Sequence, residues 1–250
     1  MKSAPNLLPD HLAFLKLAFF LDQHRPLADQ AAREHWSHGD FLARLADGEV
    51  HLRQDHSLRR RLRLARFPWV KTLEQYQWTW PKKIDRVRIQ HLFGLGFLET
   101  HTNVLFCGGV GVGKTHLAIA LAHAACVAGH SVLFVPAVDV LNNLTAAQHA
   151  HRLKTELKKY LAPRVLVLDE VGYLPIDKTG ADLLFQVLSA RYERASTLIT
   201  TNKAYKDWAT IFNNDAALTS AMLDRLLHHA ESIVIEGKSY RMKDRIEDIA

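Results

Sequence analysis

One stretch of this 250-residue chain constrains its fold more than any other: Gly108-Gly-Val-Gly-Val-Gly113-Lys114-Thr115. It fits the pattern G-x-x-x-x-G-K-[ST] in full. The apolar run Asn103–Cys107 precedes it, and Lys114–Ala128, with Gly129 just past its end, reads as the helix that follows. A strand that turns through glycines into a helix curls its backbone so that successive N–H groups converge. The helix adds unpaired N–H groups and the positive end of its dipole. Such a loop cradles phosphate. Gly108, Gly109, Val110, Gly111, Val112 and Gly113 supply the backbone, Lys114 reaches the β- and γ-phosphates, and the Thr115 hydroxyl faces magnesium. The expected ligands are ATP and Mg2+.

Two further elements complete a nucleotide site. Val165-Leu-Val-Leu is an uninterrupted aliphatic run, as in a parallel strand buried on both faces, and it ends in Asp169-Glu170. Asp169, at the carboxyl end of that strand, is placed to hold magnesium. Glu170 is placed to orient and deprotonate a water that attacks the γ-phosphate, a role unneeded where the substrate is the nucleophile. Leu198-Ile-Thr-Thr-Asn202 reads as a neighbouring strand whose terminal Asn202 could bond that water or the phosphate.

The remaining pattern alternates strand and helix from residue 103 onward: strands at Ser131–Val135, Thr197–Thr201 and Ser232–Glu236, helices at Ala137–Gln148, Arg152–Leu161, Thr179–Arg194 and Ala216–His229. Thr179 and Asp182 resemble a capping box. This implies a three-layer α/β domain with a parallel sheet. Before it, residues 9–66 carry helix-period apolar positions such as Leu12, Leu15 and Phe19, with Pro26 expected to start a second helical segment. The expected organisation is a helical N-terminal domain (1–66), a proline-bearing connector (67–102) with a short helix near Asp85–Phe93, and the nucleotide-binding domain (103–250).

Two cysteines, Cys107 and Cys126, sit in apolar stretches and read as reduced, buried thiols, which excludes a disulfide scaffold or a cysteine zinc site. The 15 histidines include the pairs His149/His151 and His228/His229, and read as surface and core residues. The apolar stretch Leu12–Leu21 is too short to span a bilayer and is broken by Lys16, so no membrane association and a cytoplasmic location are expected.

Together the three motifs resemble those of an AAA+ ATPase: Walker A at Gly108–Thr115, Walker B at Val165–Glu170 and sensor 1 at Asn202. A closer resemblance lies in Ala65-Arg-Phe-Pro, Lys71-Thr-Leu, Gly113-Lys-Thr-His-Leu-Ala, Asp169-Glu-Val-Gly-Tyr-Leu-Pro, Leu184-Phe-Gln, Arg191-Tyr-Glu-Arg, Leu223-Asp-Arg-Leu-Leu-His-His-Ala and Ser239-Tyr-Arg. These are similar to IstB-like proteins, helper ATPases of insertion-sequence transposition, related to DnaC-type helicase loaders. The resemblance implies that Arg225 is an arginine finger acting on ATP held by a neighbouring subunit, hence a homo-oligomer, and that Arg241 plays a sensor-2-like role. The chain leaves no room for the C-terminal helical lid of many AAA+ proteins, which puts a standard sensor 2 in doubt.

Residues 53–88 hold eleven Lys/Arg against three acids, a net of +8, exceeding the +6 of the whole chain. Phe67, Trp69, Tyr76, Trp78 and Trp80 interleave with them. This segment is either a phosphate-tracking surface for duplex DNA or a solvated basic helix followed by aromatics that pack onto the ATPase core. The resemblance favours DNA binding without sequence preference, and a transposase as partner. The alternatives are a DnaC-type replicative helicase loader and, in a different class, a small-molecule kinase, against which Glu170 and Asn202 argue.

Overall fold

The computed structural model describes residues 7–242. The chain divides into two compact units, Met1–Arg60 and Arg61–Ala250. The division falls inside a helix, ahead of residue 66, and residues 67–102 belong to the second unit.

The first unit contains α1 (Leu8–Phe14), α2 (Ala18–Glu34) and the greater part of α3 (His38–Ala65). Pro26 does not start a helix, as its sequence context suggests, but lies inside α2. The donor that proline removes is the one the Asp22 carbonyl would take in a regular helix, and both residues are exposed to solvent. Glu49 on α3 is buried and accepts from the Phe19 backbone N–H at 2.8 Å and from Arg53 Nε at 2.7 Å. Gly48 presses on the Phe19 ring so closely that a Cβ there would stand 2.1 Å from it.

The second unit opens with the end of α3 and α4 (Arg86–Leu92), whose cap Asp85 accepts from Arg88 N–H. Strands and helices then alternate: β1 (Asn103–Gly108), α5 (Lys114–Val127), β2 (Val132–Pro136), α6 (Ala137–His149), α7 (Leu153–Leu161), β3 (Val165–Val171), α8 (Lys178–Arg191), β4 (Ser196–Thr201), α9 (Trp208–Ile211), α10 (Ala216–Leu227) and β5 (Ala230–Ile235). The five strands form one parallel sheet in the order β2-β3-β4-β1-β5.

The period-2 alternation of the strands loads both faces of this sheet. Val104, Phe106, Val165, Val167, Leu198 and Ile233 pack with Leu117 and Leu121 of α5 and Ile89 and Leu92 of α4. Leu105, Leu166, Leu168 and Ile199 face Val140 and Leu144 of α6, Leu184 and Val187 of α8, and Met222 and Leu226 of α10. The result is helix, sheet, helix. Each fully buried aliphatic side chain contributes about 1.5–3 kcal/mol.

Two helix ends differ from expectation. The cap of α8 is Asp177, whose side chain accepts from Gly180 N–H at 2.8 Å, so Thr179 and Asp182 both lie inside the helix and do not form the capping box. At its other end α8 stops at Arg191, because Tyr192 adopts ψ 128° and Glu193 the left-handed φ of 56°. Gly129 does follow α5 with φ 102°, the left-handed conformation that favours glycine there. Arg191 is 2% exposed. Its guanidinium donates to the Tyr160 and Pro163 carbonyls at 2.9 Å, to that of Ser196 at 2.6 Å, and to Thr197 Oγ1 at 3.1 Å. It thereby ties the ends of α7 and α8 to the start of β4.

Residues 67–102 are a packed element. Phe67, Leu73, Trp78 and Ile84 lie against the α5-side core, and Tyr76 is buried in it. Cys126 is buried and Cys107 half-buried, both as free thiols. Among the described residues no helix is long and apolar enough to cross a membrane.

Candidate functional site

Strand order determines what meets at the carboxyl edge of the sheet. β4 lies between β1 and β3, so the end of β1 (Gly108), the end of β4 (Thr201) and the acidic end of β3 (Asp169) converge. The Gly108–Thr115 loop leaves β1 and enters α5 at Lys114. Gly111 (φ 76°) and Gly113 (φ 97°) take left-handed backbone conformations that curl the loop. A Cβ on Gly113 would stand 2.6 Å from the Tyr76 ring, so the loop also needs glycine there for close approach.

Lys114 Nζ donates to the Gly109 carbonyl at 2.6 Å. Burial lowers its pKa, while the nearby Asp169 and Glu170 carboxylates act in the opposite direction. The Thr115 hydroxyl donates to Asp169 Oδ1 at 2.9 Å. Asp169 is almost fully buried, and the same oxygen accepts from Thr200 Oγ1 at 2.6 Å. A hydroxyl and a carboxylate side by side at the root of a phosphate loop are hard oxygen donors of the kind Mg2+ takes.

Between β3 and β4 the register shifts. Leu168 pairs with Ile199 and Val171 with Thr201, so Asp169 and Glu170 together oppose the single residue Thr200. This is a β-bulge. Its physical effect is to reverse the alternation: Asp169 stays buried towards Thr115, Glu170 is expelled to the exposed surface, and Val171 returns to the core. Glu170 carries a φ of 60°, rare for a non-glycine residue, and its N–H donates to Thr200 Oγ1 at 2.9 Å. Thr200 therefore holds both acidic residues.

A cavity of ≈ 370 Å³ opens beside the loop, lined by Val110–His116 together with Glu170, Asn202 and Arg241. The structure thus gathers five of the expected side chains, Lys114, Thr115, Glu170, Asn202 and Arg241, around one space. Gly108 and Gly109 lead into it from β1, and Asp169 lies beneath it, bonded to Thr115. Arg225 is not among its lining residues. It lies on α10, where its guanidinium sits 4.6 Å from the centre of the Phe185 ring. Thr200 carried no sequence signal beyond being one of two threonines before Asn202.

The far wall is built from chain segments on either side of the core. Tyr76 donates from its hydroxyl to the Val112 carbonyl at 3.1 Å, and burial pushes its pKa up to about 12. His116 Nε2 lies 3.0 Å from the Thr72 carbonyl, and its pKa is lowered, chiefly by burial. Beyond β5, Tyr240 N–H donates to the Gly111 carbonyl at 2.9 Å, and Trp80 Nε1 donates to the Lys238 carbonyl at 3.0 Å. Trp80 and Tyr240 meet edge to face at 5.7 Å. Trp69, Lys71 and Gln75 complete that wall. Several members of the basic segment are engaged within the second unit: Arg61 donates to the Cys126 carbonyl, Arg88 to Glu231, and Arg86 lies over Trp78. Trp69 is half exposed.

Comparison with known proteins places this chain in a family. The family described as IstB-like ATP binding protein matches residues 10–248. Over 234 residues the chain is 43% identical to a Pseudomonas aeruginosa protein named for ATP binding in insertion sequence IS21, covering 94% of this chain and 88% of that one. A Geobacillus stearothermophilus protein named likewise for insertion sequence IS5376 is 36% identical over 231 residues, 92% of either chain. Among solved structures, that of the DnaC helicase loader superposes with a TM-score of 0.55 at 27% identity, covering 66% of this chain and 96% of that one. On this match, and on the phosphate loop and parallel sheet described above, the chain belongs to the family of IstB-like ATP-binding proteins and has the P-loop AAA+ fold.

Proposed function

We propose that this protein hydrolyses ATP and, in its ATP state, assembles on duplex DNA as a transposition helper that engages a transposase. The observation that carries hydrolysis is Glu170, a carboxylate displayed by a bulge into the cavity that the phosphate loop lines. The relatives' insertion-sequence names support the transposition setting. The cytoplasm is the proposed place of action.

The loop N–H groups and the α5 N-terminus bind the phosphates, and Lys114 turns from the Gly109 carbonyl to the β- and γ-oxygens. Thr115 and Asp169 fit Mg2+ as oxygen donors, and the ion when bound neutralises charge on the phosphates. Glu170 accepts a proton from the attacking water, a contribution of about 10²–10⁴ in rate for a positioned base. Asn202 orients that water or the γ-phosphate. Arg241 contacts the nucleotide from the cavity wall. Arg225, outside its own subunit's cavity, serves the site of a neighbour and adds about 10³–10⁵, as such fingers do elsewhere. ATP bound between subunits favours the assembled state, and hydrolysis releases it.

Phosphate release from ATP, measured with no acceptor and with or without duplex DNA, tests this reading. Steady release that DNA stimulates is expected. Release only in the presence of a small-molecule acceptor would overturn it. The likeness to the DnaC helicase loader favours a second reading, a replicative helicase loader. Pull-down against the two candidate partners separates them: retention of a transposase supports the first, retention of a replicative helicase the second.

A further inference from the structure

Away from the cavity, the fold brings together three side chains that the sequence keeps apart. Glu193 follows α8, while His228 and His229 follow α10. Glu193 Oε1 lies 3.5 Å from His229 Nε2 and 4.0 Å from His228 Nδ1. The three donor atoms all lie within 4.8 Å of one another. The two imidazole centroids are 4.2 Å apart and tilted by 55°, so the rings fan towards one carboxylate rather than stack.

We propose that Glu193, His228 and His229 form a binding site for a divalent transition-metal ion of the zinc class. An ion bound tetrahedrally with bonds of about 2.0–2.1 Å sets its donors about 3.3 Å apart. The glutamate-to-histidine separations reach that value with small rotations of side chains that are each about half exposed. Two imidazole nitrogens and one carboxylate suit Zn2+, Ni2+ or Co2+, while Mg2+ and Ca2+ prefer oxygen alone. Three protein ligands leave the fourth position to water. The three side chains are each about half exposed, so the site is open to solvent.

The backbone supports the arrangement. Glu193 is held at φ 56°, just where the chain turns out of α8. His229 is fixed through its carbonyl, which accepts from Asn103 N–H at 2.8 Å. The Tyr192 hydroxyl lies 2.7 Å from His228 Nδ1, the same nitrogen the ion takes, and so competes with it. A bound ion would fasten the C-terminal end of α10 to the turn after α8. Arg225 and Phe185, which stack across that same helix pair, lie within reach of its effect.

The test uses the full chain freed of any affinity tag, titrated with Zn2+ by calorimetry and with Co2+ by visible absorption. One ion per chain and intense tetrahedral Co2+ bands are expected. Glu193→Gln and His229→Ala should each weaken Zn2+ binding by on the order of tenfold or more, ligand loss costing at least what loss of a supporting partner does. Tyr192→Phe should tighten it, and His149→Ala should leave it unchanged. Zn2+ should raise the melting temperature of the wild type and not of Glu193→Gln. Absence of binding, binding indifferent to Glu193→Gln, or equal loss in His149→Ala would overturn the proposal. If His229→Ala does not fold, the wild-type Co2+ spectrum and the conservative Glu193→Gln decide.

Discussion

Thr200 donates a 2.6 Å hydrogen bond to Oδ1 of Asp169 from a side chain with no solvent exposure. The same hydroxyl accepts from the N–H of Glu170, so one methyl-bearing alcohol fixes a buried acid and its exposed neighbour on the two sides of a bulge. Thr200→Val keeps the shape and removes both bonds. It should cost about 1–3 kcal/mol of stability, the penalty for leaving buried polar partners unpaired. Turnover should fall more than nucleotide affinity, and Thr200→Ser should restore it. Phosphate release, nucleotide titration and thermal unfolding of the three proteins check this.

Lys114 and Glu170 separate binding from chemistry. Lys114→Ala should abolish binding of a fluorescent ATP analogue. Glu170→Gln should bind it with unchanged affinity, lose about 10²–10⁴ in turnover, the typical share of a positioned base, and remain assembled on DNA. Loss of affinity in Glu170→Gln would mean that the carboxylate is not the base.

Arg225→Ala removes a side chain that does not line its own chain's cavity. Hydrolysis should stop in the pure variant and return on mixing with Lys114→Ala subunits, whose own Arg225 is intact. Titrating one variant into the other and following phosphate release gives the answer; no recovery at any ratio would sink action between subunits.

His116 gives a pH signature. Burial lowers its pKa in the folded protein, so the unfolded chain takes up the proton more readily. The stability gained by keeping it neutral is full above the unfolded value near 6.5 and is lost as pH falls through the folded one. Unfolding free energy measured between pH 8 and pH 5 should fall, and His116→Asn should flatten that slope.

Binding to duplex DNA through backbone phosphates should depend steeply on salt. With six to ten contacts, raising salt from 50 to 200 mM weakens affinity by about 10³–10⁵. Fluorescence anisotropy with a labelled duplex measures it; an affinity indifferent to salt would point to aromatic stacking or a protein partner.

The sequence displayed the phosphate loop, the acidic strand end and the alternation of strands and helices, because each rests on local pattern: glycine spacing, an aliphatic run, a 3.6-residue apolar period. It did not display what depends on contacts across the sheet. The bulge follows from pairing β3 with β4, and nothing in Leu168-Asp-Glu-Val shows that Asp169 and Glu170 will share Thr200. Tyr76 looked like a member of a basic, aromatic stretch until the fold set it against Gly113. Pro26 misled because the carbonyl it strands lies on an exposed helix face. Thr179 and Asp182 lost to Asp177, a cap two residues earlier that local pattern ranks no lower. Glu193 and the histidine pair belong to different helix ends, so only the packing of α8 and α10 joins them.

The phosphate loop is clasped from both flanks of its unit, by Tyr76 on the Val112 carbonyl and by Tyr240 on that of Gly111. Contacts so distant in sequence must each offset the entropy of closing a long stretch of chain. The final curl of the loop therefore depends on the residues before β1 and those after β5 being docked together. A chain cut short before β5 should keep the glycines and lose its grip on nucleotide, so that ligand capture reports a completed fold.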